Sequence, residues 1–343
     1  MYGRNQRISM NVRERFQAVM NFKPFDRLPL LEWCHWWDKT VERWVNDGDL
    51  PTTLTERYAL CDHFGLDMYK QGWFGALGAV PYPKVHGAGI IQDLADYERL
   101  RPQMYPDPAS AVDEAMWRQW AAQQALGEAV LWFTLEGAFW WPRTLFGIEP
   151  HMYAFYDHKD LMHQVIDDLA TWELGVLDKI LTYCTPDFMS FAEDLSYNHG
   201  PMLSKDLFDE FIAPFYRRMV PVLKKHGILA VVDSDGDIRL PTSWFEEVGV
   251  DGMLPLERQS GVDVAQLRRD HPKMRFIGCF DKMTMTKGEA AMRAEFERLL
   301  PTARQGGLIL SCDHQTPPGV SYAQYQDYLK LFREYAQKAG TQA

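Results

Sequence analysis

From residue 228 to the C-terminus, short apolar runs that each lead into an acidic residue alternate with helix-length amphipathic segments, and few folds accommodate that pattern. The run over 228–232 is apolar throughout, as suits a strand buried on both faces in a parallel sheet covered by helices. It leads into Asp233-Ser234-Asp235-Gly236-Asp237. A helix over 242–247 and a strand over 252–256 follow, the strand ending at Glu257. A helix over 264–270 then precedes a strand over 275–279, which leads to Asp281-Lys282. The chain closes with a helix over 289–300, a strand over 308–312 ending in Asp313-His314, and a helix over 323–337.

The earlier part of the chain shows the same alternation with longer interruptions. Helical spacing over 13–22 puts Phe16, Val19 and Met20 on one face, and Pro24 stops it. A first strand over 27–33 runs into Glu32-Trp33-Cys34-His35-Trp36-Trp37, and helices near 38–45 and 53–64 lead to a strand over 66–71. Its exit is Gly72-Trp73-Phe74-Gly75, and the proline- and glycine-bearing stretch 76–108 reads as an insertion with short strands. A helix over 109–126 precedes a strand over 129–135 whose exit is Glu136-Gly137-Ala138-Phe139-Trp140-Trp141. A long helix over 159–183 then feeds a strand over 188–192 that ends in Glu193-Asp194. Ser204 is the expected N-cap of a helix carrying Leu207, Phe208, Phe211 and Phe215, which ends at Lys224-Lys225-His226-Gly227. About eight strands alternate with helices and no glycine-rich phosphate fingerprint is present. The expected fold is therefore α/β: a (β/α)8 TIM barrel with an N-terminal helical extension and an inserted segment, residues 1–343 forming a single domain.

Composition removes several function classes. A hydrophobic fraction of 46% and a charged fraction of 24% are those of a soluble globular protein. No apolar run is long enough to span a bilayer, and residues 1–15 are polar with four arginines and no signal-like apolar core. The five cysteines, at 34, 61, 184, 279 and 312, form no CxxC pair, which suits reduced thiols and a cytoplasmic location. The net charge of −11, from 36 basic and 47 acidic residues, disfavours a nucleic-acid partner and any strongly anionic substrate not met by gathered arginines.

Strand geometry turns the acids into a site. Side chains alternate, so Asp233 and Asp235 share one direction and Ser234 takes the other, giving paired carboxylates at a strand's C-terminal end. Glu32, Glu136, Glu193, Glu257, Asp281 and Asp313 occupy similar exits. Carboxylates converging on one rim must be solvated, paired with bases or bound to a cation, and Lys282 and His314 are the obvious bases there. Helix capping accounts for some of the acids; the remainder suggest a metal or cationic centre. Aromatic clusters at 33–37, 73–74 and 139–141 either wall a ligand ring or pack beneath the rim loops.

Several stretches taken together resemble the uroporphyrinogen decarboxylase superfamily: Asn11-Val-Arg-Glu-Arg-Phe with Asp26-Arg-Leu-Pro, the Ser204 helix with Phe211-Ile-Ala-Pro-Phe-Tyr, Val232-Asp-Ser-Asp-Gly, Gly278-Cys-Phe-Asp-Lys, and Gly306-Gly with Asp313-His-Gln-Thr-Pro-Pro. The resemblance implies the (β/α)8 barrel. True decarboxylases carry an Arg-Gln-Ala-Gly-Arg-Tyr segment after the first strand, whose arginines meet a substrate with many carboxylates. Here the corresponding Leu31-Glu-Trp-Cys-His-Trp-Trp-Asp supplies acid and three tryptophans where arginines are needed, and a polyanion beside the acid would be repelled.

The chain is more similar to the superfamily's corrinoid-dependent methyltransferases, which bind zinc through a His-x-Cys pair, a final Cys and, in a related synthase, a Glu. The resemblance puts Asp233, Asp235, Glu257 and His314 at those places, an oxygen and nitrogen set for zinc or another divalent metal. Such a set suits polarising the leaving oxygen of an ether. The implied reaction moves a methyl group from a small methoxylated aromatic donor, or from a methylated amine recognised by cation–π attraction, to a corrinoid (cobalamin). No Asp-x-His-x-x-Gly signature occurs, so the corrinoid is expected on a separate corrinoid protein. Glu193 and Asp281 are the expected acid/base groups and Lys282 their charge partner. Trp33, His35, Trp36, Trp73, Phe74, Phe139 and Trp140 are the expected substrate wall. The alternatives are a carboxy-lyase acting on a non-porphyrin substrate and a non-enzymatic ligand-binding barrel; a homodimer is compatible with each.

Overall fold

The computed structural model describes residues 9–83 and 85–340, so the first eight residues of the polar N-terminal stretch lie outside the described residues. The chain forms two compact units. One comprises the chain up to Lys70, Gln123–Val130 and the chain from Met253 onward; the other comprises Gln71–Ala122 and Leu131–Gly252. Among the described residues no helix is long and apolar enough to cross a membrane.

In the second unit the strands pair in parallel and in sequence order. Trp132–Glu136 lies against the strand Phe188–Ala192, which in turn lies against Leu229–Asp233. The register aligns Glu136 with Ala192 and Ala192 with Asp233, so these three side chains share one face at the strands' C-terminal ends. A lower row on that face is polar: Trp132 Nε1 donates to Ser190 Oγ at 2.8 Å, and Gln71 Nε2 donates to Thr134 Oγ1 at 2.9 Å. The long helix Lys159–Leu181 buries Leu161, Val165, Ile166, Leu169 and Leu177 on the covering side. Ser204 caps the next helix as expected, its Oγ accepting from the Leu207 amide at 3.3 Å. That helix passes through a π-helical turn, Phe208–Ile212, where Pro214 has no N–H to donate to the preceding turn.

In the first unit the strands Arg275–Phe280 and Leu308–Cys312 pair in parallel across the helix Glu289–Ala303. The closing helix Tyr322–Ala339 packs by aromatic rings, with Phe280 4.9 Å from Tyr328 and Phe296 5.1 Å from Tyr335. The N-terminal helix Val12–Met20 opens with a capping box between Asn11 and Glu14. Its Arg15 donates to Asp26 at 2.7 Å, and Arg27 pairs with Asp67 at the same distance.

Three expectations are corrected here. Residues 27–33 form no strand: Pro29 offers no N–H, and the Leu30 amide donates to the Asp67 carboxylate at 2.8 Å instead of to a neighbouring strand. The 76–108 insertion holds a helix, Leu94–Leu100, capped by Asp93, in place of short strands. The single helix over 109–126 is two, Pro108–Ala111 and Glu114–Ala125, because Asp113 turns to cap the second through the Met116 amide.

Candidate active site

The Leu131–Gly252 segment gathers acids at its strand exits. Glu136 and Asp233 stand on either side of the small Ala192, roughly 10 Å apart at the backbone given the spacing of adjacent strands. Both are partly buried. Burial pushes the Glu136 carboxyl up to about 7. Burial, followed by the neighbouring Asp194 and Asp235 carboxylates, pushes Asp233 well above its usual range. The strand ends at Asp233, and of the residues beyond it Ser234 is buried and Asp235 half-buried. Asp194 occupies a left-handed conformation, φ 40°, and its Oδ1 accepts the Asp235 amide at 3.1 Å, which ties the two exit turns together.

Glu193 is fully buried and works behind this rim. Its Oε1 accepts the Phe139 amide at 3.1 Å, clamping the turn that follows Glu136. Gly137 makes the clamp possible: a Cβ there would stand 1.6 Å from Glu193 Oε2. Burial raises the Glu193 carboxyl to about 8, although the Phe139 amide and the Tyr216 hydroxyl pull the other way. Glu173, fully buried on the long helix, is held well above the usual carboxylate range by burial and by the Glu136 and Glu193 carboxyls. Sequence reasoning missed Glu173, yet it lies one turn beyond Leu169 on the apolar face, and an acid in that stripe is the signal. His151, also unread, is wholly buried against Phe139 and Phe155 with both ring nitrogens unbonded; burial, then Arg143, holds it at about 3, hence neutral.

The expected aromatic wall divides. Trp73 is 58% exposed at a strand exit, beside Gly75, whose missing side chain leaves room 3.6 Å from Glu136 Oε1. Phe74 is stacked on Trp117, and Phe139 is fully buried, so both are packing residues. Trp140 is half-buried with the Arg143 guanidinium 4.6 Å from its ring centre.

The other unit holds a second polar network. Lys282 Nζ lies 3.3 Å from Asp313 and 3.6 Å from Glu257, and donates to Gln259 at 2.9 Å. Asp313, wholly buried, also accepts the Arg258 and Lys282 amides; burial lifts it to about 6 against the pull of Lys282. Asp281 caps the turn Lys282–Lys287 and accepts from Gln259 at 2.6 Å. Gly278 shapes this exit with φ 107°, since a Cβ there would meet the Pro255 carbonyl oxygen at 2.1 Å. Glu32 is buried, accepts from the Tyr328 hydroxyl at 2.5 Å and the Cys312 amide at 3.1 Å, and is lifted by burial to about 7. Trp33 Nε1 donates to the Cys312 carbonyl at 2.7 Å, and its ring meets His314 edge-on at 6.2 Å. Trp36 is buried against Phe64, and His35 is exposed beside Gln315.

Of the expected metal ligands, Asp233 and Asp235 belong to one unit, Glu257 and His314 to the other. Among the described residues no group of three or more His, Cys, Asp or Glu side chains is gathered to hold a metal ion.

The pattern of the uroporphyrinogen decarboxylase (URO-D) family matches residues 83–335. The chain belongs to this family. A uroporphyrinogen decarboxylase from Psychrobacter cryohalolentis is 25% identical over 283 residues, covering 76% of this chain and 70% of its own. Among solved structures, a methyltransferase from Methanosarcina mazei superposes with a TM-score of 0.67 at 14% identity, covering 95% of this chain and 99% of that one. The fold is thus the TIM-barrel-like α/β fold of the family, with its helical N-terminal extension and inserted segment.

Proposed function

We propose that the protein is a methyltransferase that moves a methyl group from a small methoxylated aromatic donor to a corrinoid carried on a separate protein. The observation that supports it most is Glu136, a half-buried carboxyl at a strand exit that burial keeps in its acid form up to about 7. Ether cleavage needs such a group. As the O–CH3 bond breaks, its electron pair stays on oxygen, and Glu136 delivers the proton that neutralises it. The corrinoid, when docked, supplies the cobalt nucleophile that takes the methyl carbon. Asp233, also raised, offers a second neutral carboxyl across Ala192 to orient the donor. Exposed Trp73, two residues before Gly75, offers a ring platform for the donor. Neutral acids favour an ether over a methylated ammonium, which ionised carboxylates would hold better.

The test supplies methoxyphenols and reduced cobalamin as surrogate acceptor and follows methylcobalamin by absorbance. Wild type should form it, and Glu136→Gln should be slower by about 10²–10⁴-fold, the usual contribution of a general acid. Carbon dioxide release from carboxylated substrates, with no methylcobalamin from ethers or methylamines, would replace this reading with a lyase. Zinc or another divalent ion remains the second way to stabilise the leaving oxygen. Elemental analysis decides it: about one equivalent per chain, lost in Asp235→Ala, supports the metal, and no uptake from added zinc rules it out.

A further inference from the structure

Trp141, Tyr105, Tyr97 and Asp168 form one hydrogen-bonded series within the unit that contains Glu136. Trp141 stands one turn beyond the Glu136 strand exit, its amide donating to the Gly137 carbonyl at 2.9 Å. The indole Nε1 donates to the Tyr105 hydroxyl at 3.2 Å, which lies 2.8 Å from the Tyr97 hydroxyl, and Tyr97 donates to Asp168 Oδ2 at 2.8 Å. Counting protons fixes the order. Tyr97 has a single hydroxyl proton and gives it to the carboxylate, so Tyr105 gives its own to Tyr97 and accepts from the indole. Arg101 closes the series from the surface, 2.6 Å from Asp168 Oδ1. Trp141 and Tyr97 are buried, and the Trp141 and Tyr105 ring centres are 5.9 Å apart. Tyr105 is held there at φ 55°, a left-handed conformation costly for a bulky side chain, with its amide bonded to the Ala76 carbonyl at 2.8 Å. Burial raises both phenols above their usual pKa, so each keeps its proton.

We propose that this series is a hole-transfer path, which carries a one-electron oxidising equivalent from Trp141 to Tyr97 and so away from the strand-exit carboxyls. Indole and phenol are the side chains that release an electron most readily, and here they stand in line and end at a base. The oxidant is of the class of peroxide-derived oxyl radicals: it takes one electron from Trp141 and a proton from solvent and is reduced to an alcohol. An electron from Tyr97 refills the indole by way of Tyr105, and the Tyr97 phenolic proton passes to Asp168 Oδ2. The products are a neutral tyrosyl radical and a carboxylic acid beside it. Without that carboxylate, oxidation would leave a positive charge in a buried place, which desolvation penalises. A one-electron reductant such as ascorbate then restores Tyr97 as Asp168 returns the proton. This inference goes beyond the proposed methyl transfer and does not rest on it, because its test reads radicals without turnover.

The full chain is oxidised with a photogenerated ruthenium(III) polypyridyl complex, frozen at set delays for electron paramagnetic resonance, and mapped for oxidised residues by peptide mass spectrometry. Wild type should show a tyrosyl radical that outlives those of its exposed tyrosines, and Tyr97→Phe should lose it. Oxidised Trp141 should accumulate several-fold more in Tyr97→Phe and Tyr105→Phe than in wild type, because the indole is no longer refilled. Asp168→Asn keeps a hydrogen-bond acceptor but removes the base, and should lower the radical yield. Circular dichroism selects the variants that fold, and the wild-type radical needs no variant. Absence of a long-lived tyrosyl radical in wild type overturns the proposal. So does a radical that persists in folded Tyr97→Phe, an unchanged yield in folded Asp168→Asn, or equal oxidation of Trp141 in all folded chains.

Discussion

Gly137 sets how closely the Glu193 carboxyl can approach the turn that follows Glu136. An added methyl group would lie 1.6 Å from Glu193 Oε2, 2.6 Å from the Glu193 Cα and 2.7 Å from the Ala192 carbonyl oxygen, and two of those three are backbone atoms that cannot swing away. Gly137→Ala should therefore cost about 1–3 kcal/mol, the range for overpacking, and should displace the turn that aims Glu136. Urea denaturation checks the first effect and methylcobalamin formation the second. Glu136 itself carries a pH signature. If its proton serves the leaving group, the rate should fall as pH rises through about 7, and Glu136→Gln should leave a slow rate without that inflection.

At the scale of elements, Asp67 does the work that a neighbouring strand was expected to do. Its carboxylate takes Arg27 at 2.7 and 2.8 Å and the Leu30 amide at 2.8 Å, with Arg15 at 3.7 Å. Asp67→Ala leaves Arg15 its Asp26 partner but strands the Arg27 guanidinium and the Leu30 amide in a largely buried setting, and should destabilise by about 3–5 kcal/mol. Loss of the cap at Ser321, which accepts the Gln324 amide at 3.2 Å, should cost about 1 kcal/mol in Ser321→Ala. Comparing the two variants by thermal melting separates a network from a single cap. The same contrast explains what was legible in the sequence. The strands Phe188–Ala192 and Leu308–Cys312 and the helix Val264–Asp270 match their expected bounds because apolar runs or amphipathic spacing between clear breakers define them. Residues 27–33 look equally apolar, but a distant side chain satisfies their backbone, and no local pattern announces that. The helices Trp140–Phe146 and Ile148–Asp157 went unread because Pro142 and Pro150 look like breakers, whereas each occupies a first turn, where proline is tolerated. At the site, the exit acids were visible one by one, but their division into reachable Glu136 and Asp233, clamping Glu193 and capping Asp281 depends on tertiary burial.

On the scale of the whole molecule, both units bury carboxyls whose pKa values are raised: Glu32 to about 7 and Asp313 to about 6 in one, Glu136 to about 7 and Glu193 to about 8 in the other. Between the ordinary carboxylate range and those values the folded chain holds protons that the unfolded chain has released. Stability is therefore highest near pH 5 and falls as pH rises toward about 8, opposite to a protein held by salt-bridged carboxylates. The net charge of −11 acts in the same direction, since deprotonation adds to self-repulsion. Salt distinguishes the two contributions: repulsion between exposed charges is screened at about 0.5 M salt, whereas the cost of ionising a buried group is not. The expected result is a urea midpoint that drops between pH 5 and pH 8 and keeps most of that drop in high salt. Glu193→Gln, which replaces the most shifted of these four carboxyls by a neutral group of the same shape, should flatten the profile and stabilise the protein at pH 8 by on the order of 1–3 kcal/mol. A profile that rises from pH 5 to pH 8, or one abolished by salt, would show that these carboxyls are ionised in the fold and would remove the acid form on which the proposed reaction depends.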